Sequence, residues 1–355
     1  MPIQYPEGII AEHLYCRRHC GIFDVSHMGR IDVEGPDQVA FLQHVLSSNV
    51  LALDLNQAQY CIIPDANGYA IDDAYLYRFE EGKYFLVINA GNIDKDWAHL
   101  MNEAKNFDVK LTNVSDKYAA IAVQGPESKK ILMTLSGGRQ LTPENVKNAL
   151  NSLTMEGKPV RIAKTGYTGE PIGYELYCNS EDARYFWDRL IELGAKPTAL
   201  GARDTTRMEA ALPLYGHEMG ECEMGGEIQI YAVPLAKFAV SFDEAKGDFI
   251  GREPLKKQFE ALKKIMNRDY SSIEDLPYRI QPIYLEGKGV LRKGFPIYCK
   301  DAWAEGKQIG YVTSGTMIPY YKTEGQGLES VFTDETGKRS IGLAYMDSRI
   351  CQDFD

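Results

Sequence analysis

Two adjacent carboxylates, Asp72 and Asp73, lie in the middle of Tyr69–Phe79, a stretch that reads as one long β-strand. Neighbouring strand residues face opposite sides, so a strand with one buried face turns one of these acids inward. A charged group is seldom buried without a partner or a role. Alternation does not say which acid is the inward one, and an exposed, twisted edge strand would leave both in water. A second carboxylate, Glu175, follows the glycine-bracketed loop Gly166-Tyr167-Thr168-Gly169-Glu170 and sits in Gly173-Tyr174-Glu175-Leu176-Tyr177. A carboxylate accepts two parallel N–H bonds and suits an amino-pyrimidinone edge, with the aromatics as stacking surface. The competing reading is a surface turn with an exposed glutamate. Arg203, near the start of a helix from Gly201 to Leu212, suits a ligand carboxylate close to a helix N-terminus. A local ion pair with Asp204 or Glu209 would serve the same residue equally well.

Other clusters fail on geometry. His13, Cys16 and Cys20 share a helix face, with His19 beside them. Zinc sites normally draw ligand pairs from two separate segments, and no second pair lies nearby, so no metal is expected. Asp24, Ser26 and His27 are too close in sequence to converge as a triad, whose members come from separate elements. They read as a polar turn. No phosphate loop or dinucleotide fingerprint occurs.

The elements that must position these residues alternate between helix and strand. Ile9–Arg18 reads as a helix and Arg30–Glu34 as a strand, broken by Gly35-Pro36 before a helix from Pro36 to Ser47. Gln59–Ile63, Tyr69–Phe79 and Tyr84–Asn89 form a three-stranded meander with a hairpin turn at Asn67-Gly68, closed by a helix from Asn92 to Lys105. Tyr118–Val123, Gly125-Pro126 and a helix from Pro126 to Leu135 repeat the strand–Gly-Pro–helix device. This is an α+β pattern, read as two similar units. The character changes near residue 245. A charged amphipathic helix spans Arg252–Asn267, with Lys256–Leu276 as the connecting helix and loop. From Tyr278 onward, short strands alternate with glycine turns at Gly287, Gly289, Gly294, Gly310, Gly315, Gly325, Gly337 and Gly342, which suggests a small β-barrel or sandwich. The expected division is 1–245 and 246–355.

The 355 residues allow two or three domains. With 44% hydrophobic and 25% charged residues, the chain is neither disordered nor collagenous. A formal net charge of −11 argues against sequence-independent nucleic-acid binding. The seven cysteines are odd in number and show no framework spacing, so they read as reduced thiols in a cytoplasmic protein. Residues Met1–Gly8 show no signal peptide, and no apolar run is long enough to span a membrane.

Gly21-Ile22-Phe23-Asp24-Val25-Ser26-His27-Met28-Gly29 closely resembles the signature of aminomethyltransferase, the T-protein of the glycine cleavage system. So do Asn67-Gly68 with Ile71-Asp72-Asp73, Val87-Ile88-Asn89-Ala90, Val123-Gln124-Gly125-Pro126, Thr165 to Glu170, and Leu200 to Arg203 with Leu214-Tyr215-Gly216. The segments from Gly247 to Glu253 and Val312-Thr313-Ser314-Gly315 extend the likeness over nearly the whole chain, in the family's order. The resemblance implies a three-part cloverleaf around a central channel for tetrahydrofolate. It implies that Asp73 is the reacting aspartate; Asp72, whose side chain leaves on the other face of the strand, is then expected to matter far less. Glu175 matches the glutamate that holds the pterin edge, and Tyr60, Asn89, Tyr167 and Arg203 match positions near the folate. The implied reaction moves a one-carbon unit from an aminomethyl group on a lipoylated carrier protein to tetrahydrofolate, with release of ammonia and without a metal.

The pattern departs from the family in three places. The chain begins about where the family's Pro-Val-Gln-Tyr segment lies. It also ends soon after Ala344-Tyr345-Met346-Asp347-Ser348, before the family's last strands and a ligand-contacting tyrosine. Ile228–Phe238 replaces a Pro-Leu-Glu-Ala-Gly-Leu-Gly-Trp pattern that lies near the channel in the family, with Ala232 and Pro234 at the usual Glu and Gly. That change raises an alternative, a folate-dependent demethylase or other one-carbon transferase acting on a small methylated donor. A non-enzymatic folate-binding protein of iron–sulfur assembly is disfavoured, because Asp248 stands where its Lys-Gly-Cys-Tyr-x-Gly-Gln-Glu motif needs cysteine.

Overall fold

A computed structural model describes residues 7–300 and 304–351. Residues 1–6, read above as lacking a signal peptide, lie outside the described residues.

The meander forms as its alternation requires. Strands Gln57–Pro64, Ala70–Glu80 and Lys83–Ile88 pair antiparallel, and Gly29–Glu34 and Lys110–Asn113 extend them into a five-stranded sheet. A second sheet has six strands in the order Lys196–Pro197, Gly21–Asp24, Tyr118–Gln124, Gly173–Asn179, Lys158–Ala163, Leu150–Met155. Each sheet buries both faces. The outer face of the first packs on helices Gln38–Val45 and Ile93–Glu103 through Phe41, Leu42, Leu76, Leu86 and Leu100. The outer face of the second packs on Ser128–Leu135 and Ala183–Glu192 through Ile121, Val123, Leu132, Phe186 and Leu190. Burying each such side chain contributes about 1.5–3 kcal/mol. The inner faces meet each other. Tyr177 of the second sheet stands edge-on to Tyr77 and Phe85 of the first, with ring centroids 5.7 and 5.4 Å apart.

The repeated strand–Gly-Pro–helix device is built around the same backbone feature. Gly35 and Gly125 both take positive φ, 129° and 122°. A Cβ at either would come within 2.6 Å of the Asp108 carbonyl or 2.4 Å of the His19 carbonyl. Glycine is therefore required twice, by conformation and by close approach.

The C-terminal third departs from expectation. In place of short strands in a small barrel, two 17-residue strands, Gln308–Glu324 and Val331–Asp347, form a long hairpin. With Tyr278–Tyr284 and Pro296–Tyr298 they make a four-stranded sheet in which Tyr278–Tyr284 and Pro296–Tyr298 are the unpaired edges; among the described residues nothing closes it. Gly310, Gly315, Gly337 and Gly342 were read as turns, yet they lie inside these strands. Gly315 pairs with Gly342, and a Cβ on Gly342 would approach the Ser314 carbonyl to 2.3 Å. These glycines permit close approach of backbones rather than reversal of the chain. Helix Arg252–Met266 buries Leu255, Gln258, Ala261 and Ile265. It joins Ile228–Ala239 and the root of the hairpin in one core.

Candidate functional site

Strand Ala70–Glu80 carries Asp72 toward the helices and Asp73 toward the facing sheet. Its ladder with Lys83–Ile88 ends at Ala74 opposite Ile88. Beyond that point the chain offers Asn89 instead of another strand residue. The Asn89 backbone N–H donates to Asp72 Oδ2 at 2.9 Å, and its Nδ2 donates to Asp72 Oδ1 at 2.9 Å and Asp73 Oδ1 at 2.7 Å. The Tyr60 hydroxyl donates to Asp73 Oδ2 at 2.9 Å. Burial and the adjacent Asp72 charge push the Asp73 carboxyl up to about 7, against the opposing bonds from Tyr60 and Asn89. Asp72 is fully buried, so neither acid lies in open solvent.

Glu175 belongs to the facing sheet, flanked in register by Ala122 and Ala163. These small neighbours leave room beside it. Its Oε2 accepts hydroxyl donors from Thr165 at 2.7 Å, Tyr77 at 2.9 Å and Tyr177 at 3.2 Å. Oε1 takes no donor from the described residues. The neighbours differ from those read in the sequence. Tyr174 points to the helix side and packs in the outer core, so the rings beside Glu175 are Tyr177 and, from the other sheet, Tyr77.

Arg203 is released from both of the local partners considered for it. Asp204 pairs with Arg207 at 2.8 Å, and Glu209 pairs with Arg17 and His13 at 2.8 and 3.1 Å. Arg203 Nη1 is buried without a hydrogen-bond partner, and burial holds the guanidinium below its usual range despite the nearby Glu175. An unpaired buried donor is costly unless something else satisfies it.

All six residues singled out, Tyr60, Asp73, Asn89, Tyr167, Glu175 and Arg203, line one cavity of about 370 Å³ between the sheets. The Tyr167 hydroxyl is committed to the Pro213 carbonyl, so its ring is what it presents. Sequence reasoning missed Tyr77, Thr165, His27 and His217, which line the same cavity. It also missed the buried pair Arg207–Glu218, closed by Ser314 of the hairpin at 2.9 Å from Arg207 Nη2 and 2.6 Å from Glu218 Oε1. The Leu214-Tyr215-Gly216-His217-Glu218 segment held the signal for two of these, since it follows directly on the Arg203 helix.

The clusters set aside behave as a structural role requires. His13 bonds Thr205 at 2.9 Å as well as Glu209, and Cys16 Sγ faces the Gln124 carbonyl. Among the described residues, no group of three or more His, Cys, Asp or Glu is placed to hold a metal ion. Ser26 N–H donates to Asp24 Oδ1 at 3.0 Å within a polar turn. Cys16, Cys20, Cys61, Cys178, Cys222 and Cys351 are free thiols, and no helix of the described residues is long and apolar enough to cross a membrane. Ile228–Phe238, expected near the channel, contributes no residue to the cavity wall. Ile228, Ile230, Tyr231, Ala232 and Val233 are buried in the core beneath the hairpin instead.

An α+β scaffold encloses a cavity that holds one buried aspartate beside a like charge and one hydroxyl-braced glutamate, an arrangement suited to group transfer. The family model described as the GCVT N-terminal domain matches residues 1–231. The aminomethyltransferase of Alkaliphilus metalliredigens is 35% identical over 357 residues, covering 99% of this chain and 85% of the relative. That of Thermus thermophilus is 38% identical over 347 residues, covering 98% and 85%. The crystal structure of glycine cleavage system aminomethyltransferase T from Bartonella henselae matches with a TM-score of 0.75 at 27% identity, covering 98% of this chain and 83% of that one. The chain belongs to the aminomethyltransferase family, the T-proteins of glycine cleavage, and is a transferase of that activity.

Proposed function

We propose that the cavity binds tetrahydrofolate as acceptor substrate and that Asp73 is the catalytic residue. The observation that carries this reading is that Asp73 and Glu175, supplied by two different sheets, face one cavity. Tetrahydrofolate supplies the two nitrogens that take up the one-carbon unit. Glu175, with Oε2 braced by three hydroxyls, offers Oε1 to the amino-pyrimidinone edge. The unpaired Arg203 offers its guanidinium to an acidic or carbonyl group of the same ligand, and Tyr60, Asn89 and Tyr167 complete the folate-side wall. Asp73 presents negative charge where the transferred carbon becomes cationic. In a water-poor cavity such a fixed charge is worth far more than in water.

The donor in this reading is an aminomethyl group on the lipoyl arm of a carrier protein, and ammonia leaves. The altered Ile228–Phe238 segment was the reason to consider a small methylated donor, and that reason weakens because none of its residues lines the cavity. We further assign residues 1–245 to the folate-binding part, built of two α+β units, and 246–355 to the connecting helix and hairpin sheet. The two facing sheets and the C-terminal sheet stand as the three leaves of a cloverleaf, and the protein works in the cytoplasm. Titration calorimetry with tetrahydrofolate tests the reading. One-to-one binding that is weakened in Glu175→Ala is expected; no binding would remove it.

A further inference from the structure

The turn at 215–219 brings an imidazole to the cavity wall and fixes its ring. His217 lines the cavity, and its backbone N–H donates to the Leu214 carbonyl at 3.0 Å. Its Nδ1 lies 3.2 Å from the Thr313 carbonyl and 3.2 Å from Ser314 Oγ, both on the long hairpin. Neither partner supplies a proton to the ring. A carbonyl only accepts, and the single hydroxyl proton of Ser314 goes to Glu218 Oε1 at 2.6 Å. The hydrogen-bond network therefore assigns a proton to Nδ1, and in the neutral ring Nε2 keeps its lone pair. Among the described residues Nε2 has no hydrogen-bond partner.

We propose, on the reading of this cavity as the tetrahydrofolate site, that His217 is a second catalytic residue, whose Nε2 faces the cavity and carries a proton from the accepting nitrogen to the departing amine. Joining one carbon to two folate nitrogens expels two N–H protons, while the donor's amino group and its sulfur each take up one on leaving. Asp73 can serve one of these exchanges. The other acceptors on the wall are engaged or unfixed. Glu175 is held by three hydroxyls and Asp204 by Arg207 at 2.8 Å. His27 is exposed, and among the described residues no hydrogen bond orients its ring. In the step assigned to His217, the lone pair of a folate nitrogen forms the bond to carbon, and the N–H proton of that nitrogen passes to Nε2. The bond from carbon to the amino nitrogen breaks with its electron pair on nitrogen. The same proton then moves from Nε2 to that nitrogen, and ammonia leaves. Charge and electrons balance without an oxidant or reductant.

His217→Asn tests this while keeping the contact to the hairpin. The asparagine amide takes the place of Nδ1 and donates to the Thr313 carbonyl, but nothing replaces Nε2. Affinity for tetrahydrofolate in titration calorimetry should match wild type. The kcat for ammonia release from an aminomethylated lipoyl carrier should fall about a hundredfold or more, with KM unchanged. In His217→Ala, added imidazole should raise kcat in proportion to its concentration, a rescue that a merely structural histidine would not give. Wild-type kcat in His217→Asn, or no rescue in a His217→Ala that still binds tetrahydrofolate, would overturn the role of His217 alone. Wild-type protein that binds no tetrahydrofolate would overturn the reading of the cavity and the role of His217 with it.

Discussion

Asp72 and Asp73 point to opposite faces of one strand, and yet both carboxylates accept from the same amide, Asn89 Nδ2, at 2.9 and 2.7 Å. The opposite facing is what strand alternation requires. The small consequence expected for Asp72 does not follow from it, because Asp72 anchors the residue that holds Asp73.

Asp73→Asn keeps the shape of the side chain and removes its charge. It should retain affinity for tetrahydrofolate and lose about a hundred- to a thousandfold in kcat, the usual ~3–4 kcal/mol for one preorganised electrostatic partner. Calorimetry paired with an ammonia-release assay separates the two. Asp72→Asn should also lose turnover, by roughly tenfold or more, since a displaced Asn89 no longer fixes the carboxylate proposed to react, Asp73. Normal turnover in Asp72→Asn would show that Asn89 needs no anchor.

The raised position of the Asp73 carboxyl gives activity and stability opposite dependences on pH. If the ionised acid is the working form, kcat rises through about pH 7. The folded chain holds the proton more tightly than the unfolded one, so the stabilisation from this group is complete below the unfolded carboxylate range. It is lost as pH rises toward about 7. Wild type should therefore lose more stability than Asp73→Asn between about pH 5 and about pH 8. Urea denaturation of both proteins at each pH reads this directly, and parallel losses would mean that Asp73 is ionised throughout.

Glu175→Ala should weaken tetrahydrofolate binding by about 2 kcal/mol or more, as expected for loss of a charge-assisted hydrogen-bond acceptor. Tyr77→Phe removes one of the three hydroxyls on Oε2 and should cost about 1 kcal/mol. An equal loss in the two variants would mean that Tyr77 touches the ligand itself.

Gly342→Ala places a methyl group 2.3 Å from the Ser314 carbonyl. The strands must separate at the level where Ser314 meets Arg207 and Glu218. Overpacking of this kind costs about 1–3 kcal/mol. Thermal unfolding should show a lowered Tm, whereas Gly306→Ala, in open space at φ 72°, carries conformational strain alone.

Much of the architecture is local and was readable from residue order. Helix Ile9–Arg18 has the bounds its pattern implies, and the meander, its closing helix and helix Arg252–Met266 follow from apolar periodicity, which depends on the residue's own neighbours. The six residues singled out by the likeness in motifs line one cavity. Tertiary structure decided what periodicity does not encode. Alternation turns Asp72 and Asp73 apart, but only the second sheet makes the Asp73 side a cavity, and only helix Ile93–Glu103 makes the Asp72 side dry. Glu175 takes a donor from Tyr77, 98 residues earlier, and Arg203 is free because Arg207 and Arg17 claim its neighbours. The hairpin glycines were misread for the same reason. A glycine that makes a turn and one that admits an opposing strand are the same letter, and the space it must leave is set by a partner far away in the chain.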